Sequence, residues 1–270
     1  MTHPKHILHK FGVHPKKSLG QNFLDDPNIL HRICELAELN DTDQVLEIGP
    51  GIGSLTAKLA TNAKSVTAVE LDDRLIPILE SELAGYENVL LIQGDILEQD
   101  PVELMGGTSF KVAANVPYYI TGAIFRQLLR PALKPSLMVL TVQKEVAERL
   151  TAEPGKMSIL STSVQLHGNV RTEFTIRAGS FWPKPEVNSA VVRFRAHANP
   201  LVSHGEERAF MGLVKSGFSS KRKQLQKNLR AVVSDRELLQ AAFASAEIDG
   251  SRRAQTLSVD DWLALFRALP

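Results

Sequence analysis

Short apolar runs alternate with amphipathic segments through the first two-thirds of the chain. QVLEIG, SVTAVE, VLLIQG, FKVAAN and SLMVLTV are rich in Val, Ile and Leu and are the length of buried strands. SLTAKLATNA, DRLIPILESELA and TGAIFRQLLR fall between them with helical spacing. Strand and helix in this alternation predict a parallel, doubly wound α/β sheet. VRTEFTI and SAVVRFR flank the loop RAGSFWPKPEVN and predict an antiparallel hairpin at the sheet edge. An earlier helix is expected in DDPNILHRICELAEL, capped by Asp26 with Pro27 in its first turn. From Arg208 onward only helical patterns remain, the last opening on a capping box of Ser258 and Asp261. The expected division is therefore an α/β domain over 1–200 and a small all-helical domain over 201–270.

Composition adds little to this picture, but charge changes it. At 270 residues, 43% hydrophobic and 23% charged, the chain has an ordinary globular make-up. No apolar run reaches bilayer-spanning length, and the basic N-terminal segment lacks the apolar core of a secretion signal. A cytoplasmic protein is expected. The single cysteine, Cys34, sits among Ile33 and Leu36 and reads as a core residue; no disulfide or metal site is expected. The net charge of +1 hides two acid-free basic stretches. Lys5, Lys10, Lys16 and Lys17 precede the first acidic residue, and Lys215, Lys221, Arg222, Lys223, Lys227 and Arg230 cluster later. Such segregation is the footprint of a phosphate-backbone partner, with solvated helix faces as the alternative.

Two stretches carry candidate chemistry. QVLEIG runs into PGIGSLT, which places Gly49, Gly51 and Gly53 in a turn before a helix, where backbone can approach a ligand closely. Glu70, 21 positions after Gly49, ends the next strand and suits ribose hydroxyls; Asp95 suits an adenine amine. The turn alone is also compatible with a structural role or a dinucleotide. Glu47, two residues before Gly49, disfavours a pyrophosphate and favours a cationic sulfonium cofactor, S-adenosylmethionine. The second stretch is NVPYY, at the end of FKVAA. The side-chain carbonyl of Asn115 and the backbone carbonyl of Val116 offer an acceptor pair for an exocyclic amine. Pro117 stiffens the turn and Tyr118 offers a face to a flipped base. Tyr119 is expected instead to pack against the edge hairpin.

KKSLGQNFL, LEIGPGIGSLT, VELD, QGDIL, NVPYYIT, VQKEVAERL and FWPKPEVNSAVV, in this order, closely resemble the ribosomal RNA adenine dimethyltransferases, from about Lys10 onward. The resemblance implies a Rossmann-like methyltransferase domain with a small helical C-terminal domain. It implies S-adenosylmethionine contacts from Asn22, Leu24, Gly49, Gly51, Glu70, Asp95 and Asn115. Phe181 would pack on the target adenine opposite Tyr118. FSSKRKQLQKNL, with Lys221, Arg222 and Lys223, would contact RNA together with Lys16 and Lys17. Where that family often has Arg-Arg-Lys-Thr-Leu, this chain has Lys221-Arg222-Lys223-Gln224-Leu225, and Val116 replaces the more usual leucine. GKMSILSTSVQ lacks the Tyr-Gly pair expected before Ser158. The implied activity is dimethylation of adenine N6 on two adjacent adenosines in a hairpin loop near the 3′ end of small-subunit ribosomal RNA. The enzyme would act as a monomer on the pre-ribosomal small-subunit particle during ribosome assembly, away from membranes. Rival readings are a large-subunit RNA methyltransferase conferring antibiotic resistance, a non-catalytic RNA-binding assembly factor, and a dehydrogenase.

Overall fold

Residues 3–130 and 133–269 are described by a computed structural model. The described chain divides into two compact units, one within Met1–Ala147 and Arg171–Ala196, the other within Glu148–Val170 and His197–Pro270. In chain order the strands are β1 (Phe23–Leu24), β2 (Gln44–Ile48), β3 (Ser65–Glu70), β4 (Val89–Gln93) and β5 (Lys111–Asn115). They continue with β6 (Leu137–Gln143), β7 (Gly168–Ile176), β8 (Phe181–Trp182) and β9 (Ser189–Ala196). All five strands expected from the apolar runs are present. Seven strands form one sheet in the order β4-β3-β2-β5-β6-β9-β7. The β2–β3, β2–β5, β3–β4 and β5–β6 ladders are parallel, and β9 runs antiparallel to β6.

The central strands are apolar almost throughout because helices cover both faces of a parallel sheet. Val45, Leu46, Val66, Ala113, Val139 and Leu140 are fully buried. Strand β4, at the edge, alternates instead and exposes Leu90. The hairpin strands lie at the other edge, as their sequence patterns suggest, with β9 inside β7. Strand order reverses at β2, whose neighbours are β3 and β5. The crevice at the carboxyl ends of β2 and β5 is the switch point where open α/β sheets bind ligands. Gly49 follows β2 directly, and Asn115 closes β5.

The second unit is helical, with Phe210, Leu225, Leu229, Leu257 and Trp262 fully buried in its core. Asp26 and Ser258 cap their helices as expected, the latter in a capping box with Asp261. The boundary at residue 200 lies beside the second crossing of the chain, but Glu148–Val170 also belongs to the helical unit. Helix Ile159–His167 lies between β6 and β7 in sequence. Ala152, Met157 and Leu166 pack into the helical core. Ser158, where the Tyr-Gly pair is missing, caps that helix through Ser161.

Candidate active site

The turn after β2 takes its shape from glycine. Gly49, Gly51 and Gly53 have φ of 68°, 63° and 84°, the left-handed region that side chains disfavour. Space is short as well: a Cβ on Gly51 would lie 3.1 Å from the Phe23 ring. The Gly49 amide donates to the Val69 carbonyl at 2.9 Å, which ties the turn to β3. Around the turn lies a cavity of about 260 Å³, lined by β2, β3 and β5 ends and by residues 19–24. Asn22, Leu24, Gly49, Gly51, Glu70, Asp95, Asn115 and Tyr118 all line it. Residues scattered over nearly a hundred positions of sequence thus meet at the switch point.

Glu70 ends β3 and is almost fully buried. Its Oε2 accepts the Gly51 N–H at 3.1 Å and its Oε1 the Asp72 N–H at 2.9 Å. Burial raises the carboxyl above its ordinary value, and these two N–H groups oppose the shift. Each oxygen keeps a lone pair for a sugar hydroxyl. Asp95 uses Oδ1 to accept the Leu97 N–H at 2.9 Å and remains half-buried at the cavity. Glu47 is 1% exposed, and its Oε2 has no hydrogen-bond partner. Burial pushes this carboxyl up to about 8; the nearby Thr56 hydroxyl tempers the shift and the charge of Glu70 adds to it. The Thr56 hydroxyl is itself unpartnered, so it leaves the acid unsatisfied. An orphaned acid in the cavity wall fits a ligand that carries an ammonium and a sulfonium. A pyrophosphate would push the carboxyl further toward its neutral form and gain no charge partner from it.

Asn115 donates through Nδ2 to the Asn22 carbonyl at 2.9 Å. That bond fixes which way the amide faces and leaves Oδ1 as its acceptor end. The Val116 N–H is held by the Thr141 carbonyl at 3.2 Å, which pins the strand end. The hairpin contact expected of Tyr119 is made by Tyr118 instead. Tyr118 is the one tied to the edge hairpin, its hydroxyl 2.6 Å from Ser189 Oγ at the start of β9. It lines the cavity while so anchored. Tyr119 is 57% exposed, its ring beside Gly20.

Phe181 does not face the cavity, contrary to its expected place on the target base. It pairs with Leu24 in the β1–β8 ladder and is 4% exposed, in the core with Leu30, Ile33 and Leu55. Lys16 is engaged by Asp72 at 3.6 Å, whereas Lys17 is exposed. In the helical unit Lys221, Arg222 and Lys223 are exposed in the turn between helices Glu207–Gly217 and Leu225–Leu229. Asn228 holds that turn from below, donating to the Gly217 and Ser220 carbonyls at 2.6 and 3.0 Å. Sequence reasoning missed Asp72, Gln21 and Asn228. The first Asp of VELDD was the available signal for Asp72, but its partners Gln21 and Lys16 are distant in sequence. Among the described residues no cluster of three or more His, Cys, Asp or Glu is placed to hold a metal. Nor is any helix among them long and apolar enough to cross a membrane.

A glycine turn at the switch point, a ribose-type acid after it and an Asn-x-Pro-Tyr strand end define the site of an S-adenosylmethionine-dependent methyltransferase. Comparison with known proteins narrows the class. The chain belongs to the ribosomal RNA adenine dimethylase family, which it matches over residues 12–270. It is 42% identical to ribosomal RNA small subunit methyltransferase A of Enterococcus faecalis, over 98% of this chain and 94% of that protein. Identity to the protein of the same name from Dehalococcoides mccartyi is 39%, over 98% and 92%. Among solved structures, 23S rRNA methyltransferase ErmE superimposes with a TM-score of 0.78 at 30% identity, covering 92% of this chain and 99% of that one. A dimethyladenosine transferase from Plasmodium falciparum gives 0.76 at 28% identity, covering 90% and 95%. The chain is an adenine dimethyltransferase of ribosomal RNA, and S-adenosylmethionine is its methyl donor.

Proposed function

We propose that this enzyme dimethylates adenine N6 on two adjacent adenosines in a hairpin loop near the 3′ end of small-subunit ribosomal RNA, during ribosome assembly in the cytoplasm. The observation that carries the chemistry is Asn115, whose amide is oriented by the Asn22 carbonyl and whose strand end borders the glycine-turn cavity. An adenine amine is a poor nucleophile because its lone pair is delocalised into the ring. The Asn115 Oδ1 and Val116 carbonyl accept its two hydrogens and favour a more tetrahedral nitrogen. S-adenosylmethionine supplies an electrophilic methyl group. Glu70 would hold its ribose and Asp95 its adenine amine, and the Glu47 carboxyl, neutral in the empty site, would ionise toward its cationic end. Asn22, Leu24, Gly49 and Gly51 complete the wall.

The remaining rate advantage would come from alignment of amine and methyl for direct in-line transfer, the C–N bond forming as the C–S bond breaks, with S-adenosylhomocysteine leaving, the N6 proton lost to water and no covalent enzyme intermediate. Tyr118, with its hydroxyl held by Ser189, presents a fixed ring to the flipped base. Lys17, Lys221, Arg222 and Lys223 contact phosphates; Lys16 joins them only on release from Asp72. Small-subunit choice is supported by relatives near 40% identity that carry that name. The likeness to ErmE shows that the same scaffold also serves large-subunit RNA, so the substrate must be tested directly. Small-subunit and large-subunit particles lacking adenine dimethylation, each offered with labelled S-adenosylmethionine, provide the test. Label entering only the small-subunit RNA is expected; label in the large-subunit RNA alone would overturn the assignment.

A further inference from the structure

Asp72 is a heavily engaged carboxylate of the first unit, and the cofactor and base contacts described above do not use its side chain. It is 2% exposed, two residues beyond Glu70. Arg74 grips it with Nε at 2.8 Å and Nη2 at 2.6 Å. Gln21 Nε2 donates to its Oδ2 at 2.7 Å across 51 positions of sequence, and Lys16 Nζ lies 3.6 Å from Oδ1. The Arg74 guanidinium also reaches the His14 carbonyl at 3.2 Å, and Gln21 Oε1 accepts the Lys16 N–H at 2.7 Å. One buried acid and its arginine therefore hold both ends of the segment from His14 to Gln21.

That segment leads into the cavity wall. Residues 19–24 line the cavity, and the Asn22 carbonyl, next to Gln21, is the acceptor that orients the Asn115 amide. On its other side Asp72 donates its own N–H to Glu70 Oε1. We infer that Asp72 and Gln21 are positioning residues: they latch the strap from Lys16 to Asn22 over the cofactor and thereby fix the Asn115 acceptor oxygen. Latching couples two events. Opening the strap for cofactor exchange removes the carbonyl that orients Asn115, and closing it restores the catalytic amide. The latch rests on the reading of this cavity as the S-adenosylmethionine site.

Dissociation of S-adenosylhomocysteine, measured by stopped flow without RNA, tests the latch together with tryptic cleavage after Lys16 and Lys17. Gln21→Ala removes the strap's side of the latch and leaves the Asp72–Arg74 pair in place; Asp72→Asn removes the charge. Both should speed dissociation and cleavage roughly tenfold or more, the loss expected for a hydrogen bond to a charged group. Turnover should fall while the KM for RNA stays unchanged, a split that general loosening of the fold would not give. Asp73→Asn, an equal charge change on an exposed neighbour, should behave as wild type. Wild-type dissociation and cleavage in a folded Gln21→Ala protein would overturn the latch, whatever Asp72→Asn does. Because neither rate requires RNA, that failure would leave the RNA assignment standing. A wild-type protein that bound no S-adenosylhomocysteine would remove the cofactor reading and the latch together.

Discussion

Asn115 earns its proposed role from one bond, the donation of its amide to the Asn22 carbonyl, because a freely rotating amide would offer nitrogen as often as oxygen to the substrate. Asn115→Ala should lower turnover roughly 10²–10³-fold, as when one preorganised transition-state hydrogen bond is lost. Cofactor affinity should change far less, which single-turnover kinetics and calorimetry would separate. Glu70 holds Gly51 and Asp72 by their backbone amides besides facing the ribose position. Glu70→Ala should weaken S-adenosylmethionine binding by about 1.5–3 kcal/mol, read by calorimetry without RNA. Glu47 gives a pH signature. Its carboxyl value rises from an ordinary 4.5 to about 8 in the folded chain, so between these limits the folded state binds more protons than the unfolded state. Stability from this group is therefore full below about pH 4.5 and declines as pH rises toward about 8. Urea denaturation of the cofactor-free protein should show that decline, and Glu47→Gln should flatten it.

Among elements, the glycine turn was legible because its constraint is local. Three glycines after an apolar strand signal positive φ, and all three adopt it. Gly51→Ala combines a left-handed φ with a 3.1 Å approach to Phe23, so it should cost at least about 1 kcal/mol of stability and weaken cofactor binding. Thermal denaturation and calorimetry would check the two effects. The five buried strands and the edge hairpin, too, were legible in the apolar runs and the helices between them. Side-chain direction at short elements did not. Phe181 belongs to a two-residue ladder, and its pairing with Leu24 turns it into the core. Nothing in FWPKP gives that register. Tyr118 rather than Tyr119 meets the hairpin for the same reason: which of two adjacent side chains reaches β9 depends on a turn between Pro117 and Thr121.

At the scale of the whole molecule, sequence pattern located the change from sheet to helices near residue 200 but not the earlier excursion at Glu148–Val170. Helix Ile159–His167 has the length of a crossover, and only packing against a distant segment reveals its allegiance. Glycine again marks the tightest approach: a Cβ on Gly217 would lie 2.3 Å from Trp262, so Gly217→Ala should destabilise the helical unit by about 1–3 kcal/mol in chemical denaturation. Charge segregation was legible in the sequence as well, and it places Lys221, Arg222 and Lys223 on one exposed turn. Neutralising all three should make the slope of log RNA affinity against log salt shallower by about 0.7 for each phosphate no longer neutralised by the protein. Cofactor affinity should not change. The central claim is that this chain places two methyl groups on N6 of adjacent adenosines in small-subunit RNA. Mass spectrometry of nuclease fragments from small-subunit particles, after incubation with enzyme and S-adenosylmethionine, measures that product directly. N6,N6-dimethyladenosine at two neighbouring positions near the 3′ end, absent when Asn115→Ala replaces the wild type over the same interval, is the expected result; dimethyladenosine found elsewhere, or formed equally by the variant, would contradict it.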